Sequence, residues 1–135
     1  MLKYTSPRVT TGDHHLFQIR GRGTVEIIED TYEKIPILII RGEVDHQCAP
    51  SMATAAERVL GEGVECLIFD LAECSYMDSG GVSVLLHLLV LLRERGWLAV
   101  VGADPYLLRI FAITGITSNP AFRVFASRDA LAGAI

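Results

Sequence analysis

Much of what would give a chain a quick functional label is scarce or missing here. Cysteine is scarce: there are three, Cys48, Cys66 and Cys74, and none stands at metal-ligand spacing from the four histidines. The small, odd count fits free thiols in a reducing cytoplasm, and no metal site is expected. The longest apolar run, Val82 to Leu92, falls far short of the ~20 residues of a membrane span. Residues 1–15 are polar and carry Pro7 and Gly12, unlike a secretory signal. Positive charge is short as well. Twelve Lys and Arg stand against 16 Asp and Glu, for a net charge of −4, and no basic cluster marks a nucleic-acid surface. The phosphate-loop and dinucleotide glycine patterns are absent, so no nucleotide cofactor is expected. Arg20-Gly21-Arg22-Gly23 has no lysine or long helix after it and reads as a solvated turn. The Gly-x-Ser-x-Gly elbow of hydrolases is missing too.

What is present is apolar sequence with clear punctuation. Half of the 135 residues are hydrophobic, enough for one domain with a sizeable core. Thr10 to Asp13 reads as a turn, and Leu16, Phe17 and Ile19 add a short strand or a strap. Residues 1–23 are read as an N-terminal extension and 24–135 as the domain proper. Thr24 to Glu29 is a strand, Asp30 to Lys34 a polar turn, and Ile35 to Arg41 a β-branched central strand; together they predict a hairpin. Pro50 to Leu60 is helical, with Met52, Ala56 and Val59 or Leu60 on one side, and Gly61 and Gly63 close it. Val64 to Asp70 is apolar on both faces, which favours parallel pairing under helices. Trp97 to Val101 is another strand. Asp104 caps a helix opened by Pro105 and ended by Gly115, with Leu107, Leu108, Phe111 and Ala112 at helical spacing. Phe122 to Phe125 is the last strand, and Ser127 caps a closing helix containing Ala130 and Leu131. The order predicts an α/β fold: a mostly parallel sheet, an antiparallel N-terminal edge strand and four helices.

The chemistry concentrates at one junction, Leu67 to Arg95. The apolar run Leu67-Ile68-Phe69 ends at Asp70, a short polar connector follows, and then come Met77-Asp78-Ser79-Gly80-Gly81 and a leucine-rich helix. A helix start offers free N–H groups and the positive end of a dipole. Asp-Ser-Gly-Gly looks like the nucleophile segment of chymotrypsin-like proteases, but Met77 replaces the usual preceding glycine, and 135 residues cannot supply two barrels. No base for Ser79 is evident, so a binding module is favoured over an enzyme. Two accounts of the junction remain open. Asp78 or Ser79 only caps the helix, with Gly80 and Gly81 permitting a tight turn. Alternatively, the glycines clear space around a hydroxyl that another protein must reach. Asp45, just past the end of a central strand, shares the same rim, where ligands and partners of α/β sheets meet. Leu85, Leu86, Leu88, Leu89, Leu91 and Leu92 surround most of their helix, as either core or an association surface.

The motifs resemble those of the STAS domain, the anti-sigma factor antagonist family. Leu67 to Asp70, Leu71 and Met77-Asp78-Ser79-Gly80-Gly81 are similar to its apolar strand, Asp-Leu and Met-Asp-Ser-Ser-Gly phosphorylation motif. Gly42-Glu43-Val44-Asp45 is similar to its Gly-Glu-hydrophobic-Asp motif, and Leu108 to Phe111 with Thr114-Gly115-Ile116 to its late helix signature. The resemblance implies that Ser79 is phosphorylated by a partner kinase that is also an anti-sigma factor. It implies that unphosphorylated protein binds this kinase and releases a sigma factor, and that a serine phosphatase reverses the modification. Asp45, Asp78, Ser79, Gly80 and Gly81 then form the partner-binding rim. Gly80 departs from the family's frequent second serine, and the stretch before Thr24 is long. Family members also serve as stressosome scaffolds, assembling with themselves or with other STAS proteins, and as modules of transporters, which are the alternative readings.

Overall fold

The computed structural model describes residues 14–17, 25–61, 63–92 and 96–134. The stretches expected to turn at Thr10–Asp13 and Arg20–Gly23, and Ile19, lie outside these. Six strands form one sheet in chain order: β1 (His14–Phe17), β2 (Val25–Tyr32), β3 (Ile35–Val44), β4 (Cys66–Met77), β5 (Trp97–Val101) and β6 (Phe122–Phe125). β1–β2 and β2–β3 pair antiparallel; β3–β4, β4–β5 and β5–β6 pair parallel. Among the described strands, five therefore share one direction and β2 alone runs against them. The sheet is mixed: the N-terminal edge strand β1 pairs antiparallel, as β2 does with β3, and the remaining pairs are parallel.

Three helices connect the parallel strands: α1 (Ala49–Leu60), α2 (Ser79–Leu92) and α3 (Pro105–Thr114). The main core brings Met52, Ala56 and Val59 of α1, Leu85 and Leu88 of α2, and Leu107 and Phe111 of α3 together with Leu38, Ile40, Phe69 and Val100. All three helices thus cover one face of the sheet. The alternating partners Ile37, Ile39 and Ile68 turn to the other face, where they pack with Val101 and Leu131. Phe111 meets Phe122 edge to face, with ring centroids 5.5 Å apart at 75°. A fully buried ring of this kind contributes about 1.5–3 kcal/mol. No helix among the described residues is long and apolar enough to cross a membrane.

Three expectations need correction. Among the described residues there is no fourth helix: Arg128–Leu131 is a single 3-10 turn, Ser127 makes no side-chain cap bond, and Gly133 at φ 82° follows. A turn this short cannot repay helix nucleation, and the side chain of Arg128 is pinned to the sheet instead. The polar connector after Asp70 is not a loop, since β4 continues through it to Met77. Register shifts in the β3–β4 pairing, between Ile39 and Arg41 and between Gly42 and Glu43, break the alternation that would have revealed a strand. The hairpin turn is only Glu33-Lys34, two non-glycine residues at φ 48° and 73°, and Asp30 to Tyr32 belong to β2. Cys66 is half-buried, whereas Cys48 and Cys74 are buried.

Candidate functional site

β3 and β4 end side by side, with Val44 opposite Met77. The amide of Asp78 donates to the carbonyl of Val44 at 3.1 Å, and this bond fixes where α2 begins. The Asp78 carboxylate then joins two elements. Oδ1 accepts from the Gly80 N–H at 2.8 Å, and Oδ2 accepts from the His46 N–H at 3.0 Å. The first bond caps α2 and satisfies one of its orphan donors; the second ties the β3–α1 loop to the same helix end. The His46 ring nitrogen Nδ1 lies 3.6 Å from Oδ2.

Asp45 is buried and serves its own loop. Its Oδ1 accepts from the N–H groups of Gln47 at 3.0 Å and Cys48 at 3.1 Å, and its carbonyl accepts from Ala49 at 2.9 Å. The Cys48 thiol donates to the Glu43 carbonyl at 3.2 Å and accepts from the Asp45 N–H at 3.4 Å. Burial works against the charge on Asp45, but the Cys48 amide and thiol, the Gln47 amide and the nearby His46 outweigh it and hold the carboxyl below its ordinary range. Burial pushes the Cys74 thiol up to about 11 against its bond to the Tyr76 backbone, and it pushes Cys48 up as well, so both stay protonated and inert.

Ser79 is the first residue of α2 and is exposed. Among the described residues nothing engages its hydroxyl. The glycines that follow have a packing reason. A Cβ at Gly80 would stand 2.8 Å from the His46 Cα, and one at Gly81 would stand 2.4 Å from Met77 Cγ and 3.0 Å from Val44 Cγ1. The first turn of α2 is thus pressed on the β3–α1 loop and the strand ends. Gly81 is buried beneath the rim, while Gly80 is partly exposed.

The structure therefore brings Asp45, Asp78, Ser79 and Gly80 to one rim, with the two aspartates engaged in capping. Sequence reasoning gave no part to His46 and Cys48, which anchor this rim. Their position directly after Asp45 was the available signal. The leucines of α2 divide: Leu85, Leu88, Leu89 and Leu92 are buried, whereas Leu86, Val90 and Leu91 are 40%, 69% and 46% exposed. His87 sits at the edge of this face, 3.1 Å from Glu57 of α1. No group of His, Cys, Asp and Glu among the described residues is arranged to hold a metal ion.

The model of the STAS domain matches residues 26–131, and the chain belongs to the STAS domain family. Within it, an anti-sigma-B factor antagonist of Listeria monocytogenes is 38% identical over 96 residues, 70% of this chain and 82% of the relative. The solved anti-sigma factor antagonist of Mycobacterium paratuberculosis has a TM-score of 0.73 at 20% identity, covering 83% of this chain and 94% of its own. The Bacillus cell fate determinant SpoIIAA in its phosphorylated form has a TM-score of 0.62 at 19% identity, covering 81% and 99%. At these identities the two structures speak for the fold.

Proposed function

We propose that the protein is an anti-sigma factor antagonist switched by phosphorylation of Ser79. It acts by binding rather than by catalysis. Unmodified, it binds a cytoplasmic anti-sigma factor that is also a serine kinase, and the sigma factor is released. A phosphate on Ser79 ends binding, and a serine phosphatase restores it. The observation that carries this reading is the exposed hydroxyl of Ser79 at the first position of α2. A phosphoryl group adds roughly −1.5 to −2 charge and three strong acceptors. The helix start supplies N–H donors and a favourable dipole, so the modified fold survives. A partner surface that meets a neutral hydroxyl does not tolerate the new charge. Like-charge juxtaposition across an interface costs several kcal/mol, and each ~1.4 kcal/mol is tenfold in affinity. Asp78, Asp45, Gly80 and Gly81 set the shape of the rim that the partner meets.

The test is a titration of the kinase with wild type, Ser79→Ala and phosphorylated protein, with the phosphate located by mass spectrometry. Wild type and Ser79→Ala should bind alike, and the phosphorylated form at least a hundredfold more weakly. Phosphate on another residue, or equal affinity for both forms, overturns the reading. The exposed Leu86, Val90 and Leu91 favour one alternative, a scaffold that assembles with its own copies or other STAS proteins. A large homomeric particle that binds no kinase would establish it.

A further inference from the structure

The strand order places Ser79 between two shoulders. On the β3 side stands the loop of Asp45 and His46. On the β5 side stands the start of α3, and there Tyr106 stacks on Tyr76, with ring centroids 6.3 Å apart at an interplanar angle of 16°. Tyr76 is three residues before Ser79, and Tyr106 is 43% exposed in the first turn of α3. Two acidic residues lie close by in the fold, and the Oδ1 of one of them, Asp104, already caps α3 by accepting from the Leu107 N–H. Glu43 is the cross-strand partner of Tyr76, and Asp104, exposed, precedes Tyr106 by two residues. Among the described residues no cation lies over the Tyr106 ring, although the same chain places Arg123 over Trp97 at 4.9 Å elsewhere.

We infer that the Tyr76–Tyr106 stack is a second anchor of the partner site and that it receives an arginine side chain of the anti-sigma kinase. This rests on the function proposed above and adds to it where affinity, as opposed to switching, is generated. A guanidinium plane packs on an aromatic face by cation–π attraction, and adjacent carboxylates accept its N–H groups. Tyrosine is enriched among interface residues that carry binding energy, and arginine is its frequent counterpart. The tyrosines come from β4 and α3, so the anchor is preorganised by the sheet that also presents Ser79.

The experiment is the same kinase titration with Tyr106→Leu and Tyr106→Phe, each with and without phosphate on Ser79. The phenyl ring keeps the π face, and leucine keeps only apolar area. Tyr106→Phe should bind within about twofold of wild type, and Tyr106→Leu about five- to tenfold more weakly, with the ratio between the two Ser79 forms unchanged. The loss should shrink at high salt. Wild-type affinity for Tyr106→Leu, with the Ser79 switch intact, overturns the anchor and leaves the function standing. Equal losses for Phe and Leu overturn the arginine. Absence of any wild-type binding overturns both proposals.

Discussion

Two pairs of aspartates occupy the same sheet and spend their charge differently. Asp45 and Asp78, past the ends of β3 and β4, accept hydrogen bonds from backbone N–H groups of the loops they belong to. Asp30 of β2 and Asp70 of β4 accept one backbone N–H each, from Thr31 at 2.7 Å and Ala72 at 3.0 Å, and in addition grip a cation. Arg128 Nε donates to Asp70 Oδ2 at 2.9 Å, and its Nη1 lies 3.4 Å from Asp30 Oδ2. The side chains of Asp30 and Asp70 are 0% and 12% exposed and Asp45 is buried as well, whereas Asp78 keeps 22% of its side chain in solvent. The difference is one of what water can repair. A partly exposed cap such as Asp78, once lost, is replaced by solvent at about 0.5–2 kcal/mol. A buried acid that loses its cation has no substitute. The first pair leaves a rim free to change its charge; the second fastens the end of the domain to the sheet.

The largest expected effect tests the second pair. Arg128→Ala leaves two acids buried without a counterion and should cost about 3–5 kcal/mol in denaturant unfolding. Kinase binding by the folded fraction should be unaffected. A loss under about 1 kcal/mol would mean that water reaches these carboxylates, and the contrast with the rim would vanish.

Next in size is Gly80→Ser, which adds a second hydroxyl beside Ser79. The new Cβ meets backbone at His46, which cannot swing aside as a flexible side chain would. The loop must move, at about 1–3 kcal/mol. An unchanged denaturation midpoint would show that the rim is soft, and that Ser79 is held less firmly than the Asp78 bridge suggests.

The smallest effect concerns Asp45. Its carboxyl is held below the ordinary range in the folded state, so the stability it adds is present above about pH 4, its unfolded value, and is lost as pH falls through the folded one. Asp45→Asn should therefore be less stable than wild type at pH 7, with the gap closing below pH ~4 in acid titrations followed by circular dichroism. A gap that widens on acidification would reverse the sign argued here.

Local chemistry was legible in the sequence and distant chemistry was not. Asp104, Pro105 and Gly115 bound α3 as their residue types dictate: the aspartate accepts from Leu107 at 2.8 Å, and the glycine takes φ 83°. The strand β3, the helix α1 and the rim position of Asp45 and Asp78 follow from the same local rules. The Glu33-Lys34 turn escaped because left-handed φ values at non-glycine residues have no compositional signal. The end of β4 escaped because its register shifts erase the period of two. Arg128 escaped because nothing near it in the chain says that it meets a residue 98 positions earlier. The packing role of Gly80 and Gly81 was hidden for the same reason, since His46 and Val44 are brought to them only by the fold.

The clasp of Arg128 on Asp30 has a temporal side. A chain made from its N-terminus exposes β2 and β4 to each other long before residue 128 exists. Until then, the two carboxylates lack the cation that Arg128 brings from 98 and 58 residues further along the chain. The last turn therefore does not decorate a finished domain. It supplies the counterion of both acids, so the last turn and the β2 and β4 acids can be joined only once nearly all of this domain has been made.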